Sequence, residues 1–241
     1  MNTINKTLLF IAALGVSTLA IANGSLLVEP SDLAEEISNG AVIIDLRENE
    51  VEKEISILPG SVPSSFSGWR GPSDNPGLVL SESRASELFG DLGIAPSDRI
   101  ILATAGGSNA TFGAAARAFW DLKSFGFDDV GILHGGVTAY QAATLSFADS
   151  YLSRQPKVLS LSFDTSFYAP KTDLLEVVEA NQSAQLLDAR PSAWHEGKKW
   201  HPASLTPGTL EFSKILDYSQ FFVTQDSSRL KAILRINLKK Y

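Results

Sequence analysis

The residues with the clearest potential for chemistry lie between an apolar run and a helix-like stretch. Residues 100–120, IILATAGGSNATFGAAARAFW, predict a buried strand, a loop of small residues and an amphipathic helix. The N-terminus of such a helix offers free N–H donors and the positive end of the helix dipole, which together favour anions. The candidate anion cradle consists of small or polar loop residues: Thr104, Gly106, Gly107, Ser108 and Asn109.

This loop contains no cysteine, lysine or histidine, so any anion must be held by backbone N–H groups. The simpler interpretation is that these residues are small because they pack closely, and we favour it. The question that the loop raises is whether the chain holds a reacting group there at all.

Two pairs of charged residues elsewhere in the chain suggest a structural role more than a catalytic one. Asp45 and Arg47 follow one apolar run, and Asp188 and Arg190 follow another. We expect each Asp-x-Arg to form a charge pair that fixes its loop.

One cluster has the residue types of a metal site. His195, Glu196 and His201 lie close together in the sequence, but their spacing fits no common metal pattern and no third ligand is evident. We interpret this stretch as a polar turn, and we expect neither a metal nor a cofactor.

Composition excludes several classes of function. The chain has 241 residues, is 44% hydrophobic and contains no cysteine, which rules out disulfides, thiolate metal sites and a cysteine nucleophile within these residues. The net charge of −7 argues against nucleic acid or an anionic membrane as a partner.

The first residues have the pattern of a secretory signal. Lys6 precedes an apolar stretch, residues 7–22, that ends in the A-x-A sequence of a signal-peptidase site. We expect residues 1–22 to be removed before Asn23, and the protein to be periplasmic or secreted by a bacterium. The alternative is a membrane anchor, for which sixteen apolar and small residues are marginal.

Short apolar runs alternate with helical patterns along the rest of the chain. Residues 41–46, 99–103 and 129–136 predict strands, whereas residues 32–40 and 81–93 predict helices with Ser31 and Ser81 as N-caps. This alternation predicts an α/β fold with a parallel sheet flanked by helices.

The pattern occurs twice. Residues 28–47 and 168–190 share a proline, an Asp-Leu that opens a helix, and a strand ending in Asp-x-Arg; Asp45 and Asp188 are 143 positions apart. We therefore predict a duplicated domain: residues 26–150 as the first copy, 151–166 as a linker and 167–241 as an incomplete second copy. An incomplete sheet exposes an edge that a second protomer can cover, so we expect a homo-oligomer.

These motifs together resemble the tandem-domain rhodaneses, which are thiosulfate and 3-mercaptopyruvate sulfurtransferases. The resemblance rests on IDLRE, LDARP, the turn ILPGSVP (residues 57–63), its degraded counterpart HPASLTP (residues 201–207), and residues 113–136 with their closing Gly135-Gly136. It implies a rhodanese-like sheet in which Asp45, Arg47, Asp188, Arg190 and the two glycines are structural. At His134 the family usually has an aspartate that holds a turn.

The resemblance also implies where the chemistry would be. In that family a cysteine follows the central strand of the second domain and carries a sulfane sulfur as a persulfide. The corresponding position of the usually inactive first domain falls at or near Thr104, and Trp194 stands where an arginine that contacts substrate is usual. We expect the loop that would carry the cysteine to lie beyond Tyr241.

Three interpretations follow. We prefer an exported rhodanese-like protein that is catalytically silent as given, a pseudoenzyme without catalytic residues. The second is the N-terminal part of an active thiosulfate or 3-mercaptopyruvate sulfurtransferase. The third is a binding module for a small sulfur oxyanion or a protein partner.

Overall fold

The first half of the chain is built on a parallel sheet. This computed structural model describes residues 24–179, 184–202, 204–223 and 229–230, so the predicted signal peptide lies outside the described residues. No helix among the described residues is long and apolar enough to cross a membrane. The sheet has the order β1-β5-β4-β2-β3, and its strands are β1 (Leu27–Val28), β2 (Val42–Asp45), β3 (Ser61–Pro63), β4 (Ile100–Ala103) and β5 (Val130–Leu133).

Helices cover both faces of this sheet, as predicted. They are α1 (Leu33–Ser38), α2 (Glu50–Ile55), α3 (Glu82–Asp91), α4 (Asn109–Ser124) and α5 (Gly136–Ala142), with 3-10 turns at Pro30–Asp32 and Phe66–Trp69. Successive strand residues point to opposite faces: Ile101 joins the core under α1 and α5, and Leu102 joins the core under α3 and α4. The predicted α/β fold class is confirmed.

The predicted helix starts are partly correct. Ser81 caps α3, because its side chain accepts a hydrogen bond from the Arg84 N–H at 3.2 Å. Ser31 does not cap α1. It lies within the 3-10 turn that Pro30 opens, so the α-helix begins two residues later, at Leu33.

The predicted linker is bound along the first half. Its Leu152 N–H donates to Ser61 O at 2.7 Å, and its Lys157 N–H donates to Gly90 O at 2.9 Å. The side chains of Leu159 and Leu161 pack against the core. Residues 151–163 therefore form a strap over the first half, held by backbone bonds and apolar contacts.

The second half is smaller in the described residues. It contains α6 (Lys171–Glu179), β6 (Leu187–Asp188), α7 (Ser192–His195) and β7 (Lys214–Ile215), with 3-10 turns at Thr165–Phe167 and Tyr218–Phe221. The pair β6-β7 is parallel and repeats the register of β2-β3: Asp188 lies opposite Ile215, as Asp45 lies opposite Pro63. The duplication is thus visible in part.

The turn before the second strand is not where the sequence predicted it. In the first half the Ser61 N–H and hydroxyl both donate to Leu58 O, at 3.2 and 2.6 Å. In the second half Ser213 donates in the same way to Leu210 O, at 3.1 and 2.7 Å. The counterpart of residues 57–63 is therefore centred on residues 210–213, and the assignment to residues 201–207 is wrong.

The sequence concealed this turn because its key residue differs. Gly60 adopts a left-handed conformation with φ 65°, and the equivalent residue, Phe212, has φ 63°. A bulky side chain rarely adopts this region because its Cβ crowds the backbone. The glycine that would have marked the turn is absent, whereas His201-Pro202 only looks like it.

Candidate functional site

The loop after β4 lies at the carboxyl edge of the sheet, next to its central strand. Thr104 follows the last residue of β4 and is 7% exposed. Its carbonyl accepts the Val137 N–H at 2.9 Å, and the Ala105 carbonyl accepts both the N–H and the hydroxyl of Thr138, at 2.9 and 2.8 Å. The first loop residues are therefore fixed to the start of α5.

Glycines allow the two loops to meet. Gly106 and Gly107 are both left-handed, with φ 85° and 75°. A Cβ on Gly106 would lie 2.1 Å from Gly135 O, and one on Gly136 would lie 2.4 Å from Thr104 O. Gly106 and Gly136 are thus required by close packing between backbones, and a Cβ on Gly135 would lie 2.6 Å from the Ala139 Cβ. Among the described residues, a Cβ on Gly107 would meet nothing within 4 Å.

The end of the loop caps α4. The Ser108 hydroxyl accepts the Thr111 N–H at 3.2 Å, and the Thr111 hydroxyl donates to Ser108 O at 2.8 Å. Within the described residues, the backbone N–H groups of residues 105–108 donate no hydrogen bond. These donors belong to the residues that directly precede a 16-residue helix, and a small anion would be favoured at that helix start.

The Asp45–Arg47 pair lies beside this loop and is buried. Arg47 contacts the carboxylate through Nε–Oδ1 at 2.9 Å and Nη2–Oδ2 at 2.6 Å, and the two side chains are 2% and 0% exposed. Arg47 also donates to the Ser56 hydroxyl at 2.7 Å, and the Tyr151 hydroxyl donates to Asp45 at 3.1 Å. Burial lowers the pKa of Arg47, but the hydrogen bonds to Asp45 outweigh it and the pKa is raised. The guanidinium is therefore permanently charged and neutralised in place.

A cavity of about 400 Å³ opens next to this pair. Arg47 and Ser56 line one side, and Ala105, Thr138 and Gln141 line the other. It lies at the carboxyl ends of parallel strands, where α/β folds place their ligands. In the first half the charge pair and the loop thus share one concave site.

The Asp188–Arg190 pair has the same internal geometry in the second half. Its Nε–Oδ1 and Nη2–Oδ2 distances are again 2.9 and 2.6 Å, but Arg190 is 42% exposed. The hydrogen bond from Arg190 outweighs the effect of burial, and a further bond from His195 contributes, so the pKa of Asp188 is well below its usual value. In both halves the aspartate and the arginine of the motif thus form an ion pair with each other.

The histidines of the suspected metal cluster are used differently. His195 Nδ1 contacts Asp188 Oδ2 and the Thr209 hydroxyl, each at 3.1 Å, and Glu196 pairs with Lys198 at 2.6 Å. Across the described residues no group of three His, Cys, Asp or Glu side chains is arranged to hold a metal. In a Ser-His-Asp triad the carboxylate and the hydroxyl bind different nitrogens of the histidine ring. Here Asp188 and Thr209 both contact the same nitrogen, His195 Nδ1.

His134 connects the two halves, a role that the sequence did not reveal. It is buried, its Nδ1 lies 2.6 Å from Glu29 Oε1, and its Nε2 accepts the Leu230 N–H at 2.9 Å. Arg229 Nη2 contacts Glu29 Oε2 at 2.6 Å. Burial raises the pKa of Glu29, but the hydrogen bonds from His134 and Arg229 outweigh it and the pKa is lowered. No local motif signals a contact between residues so far apart in the chain.

Comparison with known proteins identifies the scaffold. The family model for the rhodanese-like domain matches residues 29–143. This segment is a rhodanese-like domain. It includes the Asp45–Arg47 pair, the loop after β4 and the Gly135-Gly136 turn, so the resemblance seen in the sequence is confirmed there.

Individual relatives agree with this assignment. The 3-mercaptopyruvate sulfurtransferase of Escherichia coli strain K12 is 32% identical over 80 residues, which cover 33% of this chain and 28% of the relative. The chain thus matches less than a third of that protein's length.

Solved structures show the same fold over a longer span. SseA from Escherichia coli, described as showing the rhodanese fold of 3-mercaptopyruvate sulfotransferases, matches with TM-score 0.68 and 22% identity, covering 87% of this chain and 80% of that one. Tum1 from Saccharomyces cerevisiae matches with TM-score 0.68 and 16% identity over 85% of this chain and 73% of that one. An anaerobic ergothioneine biosynthesis enzyme from Chlorobium limicola matches with TM-score 0.70 and 14% identity, covering 85% of this chain and 55% of that one.

Proposed function

We propose that this chain is a rhodanese-fold protein that does not itself transfer sulfur. Sulfur transfer through the protein needs a thiolate, which attacks the sulfane sulfur and carries it as a persulfide. The 241 residues contain no cysteine. A hydroxyl cannot replace it, since it lacks both the acidity and the affinity for sulfur.

One observation carries this proposal. Thr104, buried at the end of the central strand, opens the loop at the position where the family resemblance expects a nucleophile. The loop, its glycines and the capped helix are all present around a residue that cannot form a persulfide. The scaffold therefore supports binding better than catalysis.

The decisive assay is thiocyanate formation from thiosulfate and cyanide. In an active enzyme the thiolate takes the sulfane sulfur while sulfite leaves, and cyanide then removes the sulfur as thiocyanate. We expect the 241-residue chain to give no rate above buffer. Robust turnover by the purified chain would contradict the proposal.

A gain-of-function variant tests the assigned position. After treatment with thiosulfate, Thr104→Cys should gain the mass of one sulfur atom, because its thiolate would face the free N–H groups of the loop. Ser73→Cys, at an exposed turn outside this loop, is the control and should gain none. Equal labelling of the two variants would show that Thr104 does not occupy the nucleophile position.

A second candidate is that these residues are part of a longer, active sulfurtransferase. The two-stranded sheet of the second half, which repeats only β2-β3 in the described residues, supports it. The test is to read the DNA beyond codon 241. This candidate requires a frame that encodes a strand followed by Cys-x-x-Gly-x-x, and it fails if none exists.

A third candidate is a small-anion site at the loop after β4. The unused N–H groups of residues 105–108 at the start of α4 support it. We expect sulfate, thiosulfate or phosphate to change tryptophan fluorescence saturably at millimolar concentration, and Asn109→Asp to weaken the response by repulsion. Asn75→Asp, outside the loop, is the charge-matched control. No saturable response would remove this candidate.

We further propose that the protein is exported to the bacterial periplasm or secreted. The apolar segment and the A-x-A sequence of residues 1–22 support this. Expression of the full chain, followed by fractionation and N-terminal sequencing, is expected to give exported protein that begins at Asn23. Retention of the intact N-terminus in the cytoplasm would contradict export.

A further inference from the structure

A second cavity lies at the start of α4. It has a volume of about 460 Å³ and separates the first turns of α4 from the end of the second half. Its walls are mainly apolar and aromatic: Asn109, Ala110, Phe112, Gly113 and Ala116 on α4, with Tyr218, Phe221, Phe222 and Leu230 opposite. A pocket of this size and character is typical of small-molecule sites.

Aromatic contacts hold the two walls at a fixed distance. Phe222 is 9% exposed and meets Phe112 edge to face, with ring centroids 5.4 Å apart and planes at 83°. Tyr218 meets Phe222 in the same way at 6.1 Å. These geometries are the favourable ones for aromatic pairs.

Polar contacts anchor the same wall to the first half. Leu230 forms a β-bridge with Phe222 and donates its N–H to His134 Nε2 at 2.9 Å. Arg229 pairs with Glu29 at 2.6 Å. The wall is therefore attached to the first half by both aromatic and polar contacts.

The hollow arises from small residues on one face of α4. Ala110, Gly113 and Ala116 lie three residues apart, so they project to the same side of the helix. A Cβ on Gly113 would meet nothing within 4 Å. Glycine within a helix costs stability relative to alanine, about 1 kcal/mol, yet no contact with the described residues requires a glycine here.

The lining defines the chemistry of a ligand. Among the described residues, no lining side chain carries a charge at neutral pH, so burying a strongly charged molecule there would be costly. Ring faces and edges from Phe112, Phe221 and Phe222 favour a flat aromatic body. Asn109 and Tyr218 bring polar groups to the walls, which suits one hydrogen-bonding function on that body.

We propose that this cavity binds a small neutral aromatic molecule. Its ring packs against the phenylalanines, and its polar group meets Asn109 at the start of α4. The site does not depend on sulfur transfer and differs in chemistry from the anion site considered at the neighbouring loop.

The proposal can be tested with indole, a neutral aromatic probe that carries one N–H donor. Titration of the full chain, followed by saturation-transfer NMR and calorimetry, is expected to give saturable binding with a Kd below about 1 mM. Cyclohexanol, a non-aromatic probe with one hydroxyl, should bind at least about tenfold more weakly. Absence of saturable indole binding, or equal binding of both probes, would overturn the proposal.

Variants at one position locate the binding. Gly113→Leu fills the cavity and should weaken indole binding at least about tenfold. The thermal unfolding temperature should not fall, because leucine favours the helix more than glycine does. Gly113→Ala is the matched control and should change the affinity less than about threefold, since most of the space remains.

A second measurement locates the bound indole without relying on the folding of the leucine variant. Intermolecular NOEs from indole to the Phe112 and Phe222 ring protons are expected in the unmodified chain. Gly113→Leu that binds indole normally, or NOEs that map to other aromatic residues, would show that indole binds elsewhere.

Discussion

The Asp-x-Arg pair occurs in both halves of the chain with one internal geometry and two surroundings. Asp45–Arg47 and Asp188–Arg190 have identical Nε–Oδ1 and Nη2–Oδ2 distances of 2.9 and 2.6 Å. The guanidinium side chain is 2% exposed in the first pair and 42% exposed in the second. The motif therefore determines the geometry of the ion pair, and the surrounding strands and helices determine how much the pair contributes to stability.

The difference arises from the strands next to the motif. β2 lies between β3 and β4 in a sheet covered on both faces, so Asp45 and Arg47 are removed from water. In the described residues β6 pairs with β7, and its Leu187 is 39% exposed. Salt bridges in the two environments have different energetics, because an uncompensated charge is costly only where water cannot reach it.

The largest expected effect comes from removing each aspartate. Asp45→Ala leaves the Arg47 guanidinium buried without its carboxylate and should lower the free energy of unfolding by about 3–5 kcal/mol. Asp188→Ala should cost about 1 kcal/mol or less, since Arg190 reaches solvent. Denaturant unfolding followed by circular dichroism measures both.

The conservative variants Asp45→Asn and Asp188→Asn act as controls for lost packing. They retain the size of the side chain and remove its charge, so they should preserve the ranking of the two sites. Equal losses at both positions would mean that the surroundings do not set the value of the pair.

The second expected effect is a different pH dependence of stability in the two halves. Asp121 on α4 is buried against Arg117, and burial outweighs that ion pair, which raises the pKa of Asp121 to about 7. Its folded-state pKa thus exceeds the usual 3.8, so the stability it contributes is present at low pH and lost as pH rises towards 7. Asp188 has the opposite sign: its pKa is lowered, so its contribution is lost only as pH falls below 3.8.

Raising the pH from about 5 to about 8 should therefore lower the free energy of unfolding of the first half by up to about 3 kcal/mol. Amide hydrogen exchange of β4 and of β6 would monitor the halves separately. Asp121→Asn should remove the pH dependence in the first half and leave the second unchanged. A slope that persists in this variant would assign the titration to another group.

The smallest expected effect concerns the two equivalent turns. Phe212→Gly should raise the free energy of unfolding of the second half by about 1 kcal/mol, because glycine adopts φ 63° without strain. Gly60→Ala should lower that of the first half by about 1–2 kcal/mol, and its Cβ would also meet Ile37 Cγ2 at 3.3 Å.

Phe212→Ala provides the matched control, since it removes the exposed ring and keeps the Cβ. It should recover little of the gain seen with glycine. If alanine stabilised the second half as much as glycine does, the ring and not the backbone would be the source of the strain.

Elements with strong periodic patterns could be predicted, and those held by distant contacts could not. The β-branched run of β2 and the apolar strand β4 predicted a buried parallel sheet, because a strand covered on both faces needs continuous apolar side chains. The second turn was misplaced because Phe212 takes the conformation normally marked by glycine.

The candidate site shows the same division. The small residues at positions 104–109 and at Gly135-Gly136 indicated closely packed loops. The structure brings Gly106 and Gly135 into backbone contact. The aromatic cavity was missed, since Phe112 and Phe222 belong to different halves and meet only after folding.

The sequence by itself determined the local chemistry of this protein: two Asp-x-Arg pairs, a loop of small residues, and no thiol anywhere in 241 residues. Tertiary structure decided which pair is buried, which loops touch, and that His134 joins the halves by accepting the Leu230 N–H. The reason is physical. Residue type and near neighbours fix a side chain's bonding capacity, whereas burial and long-range partners depend on how the layers stack.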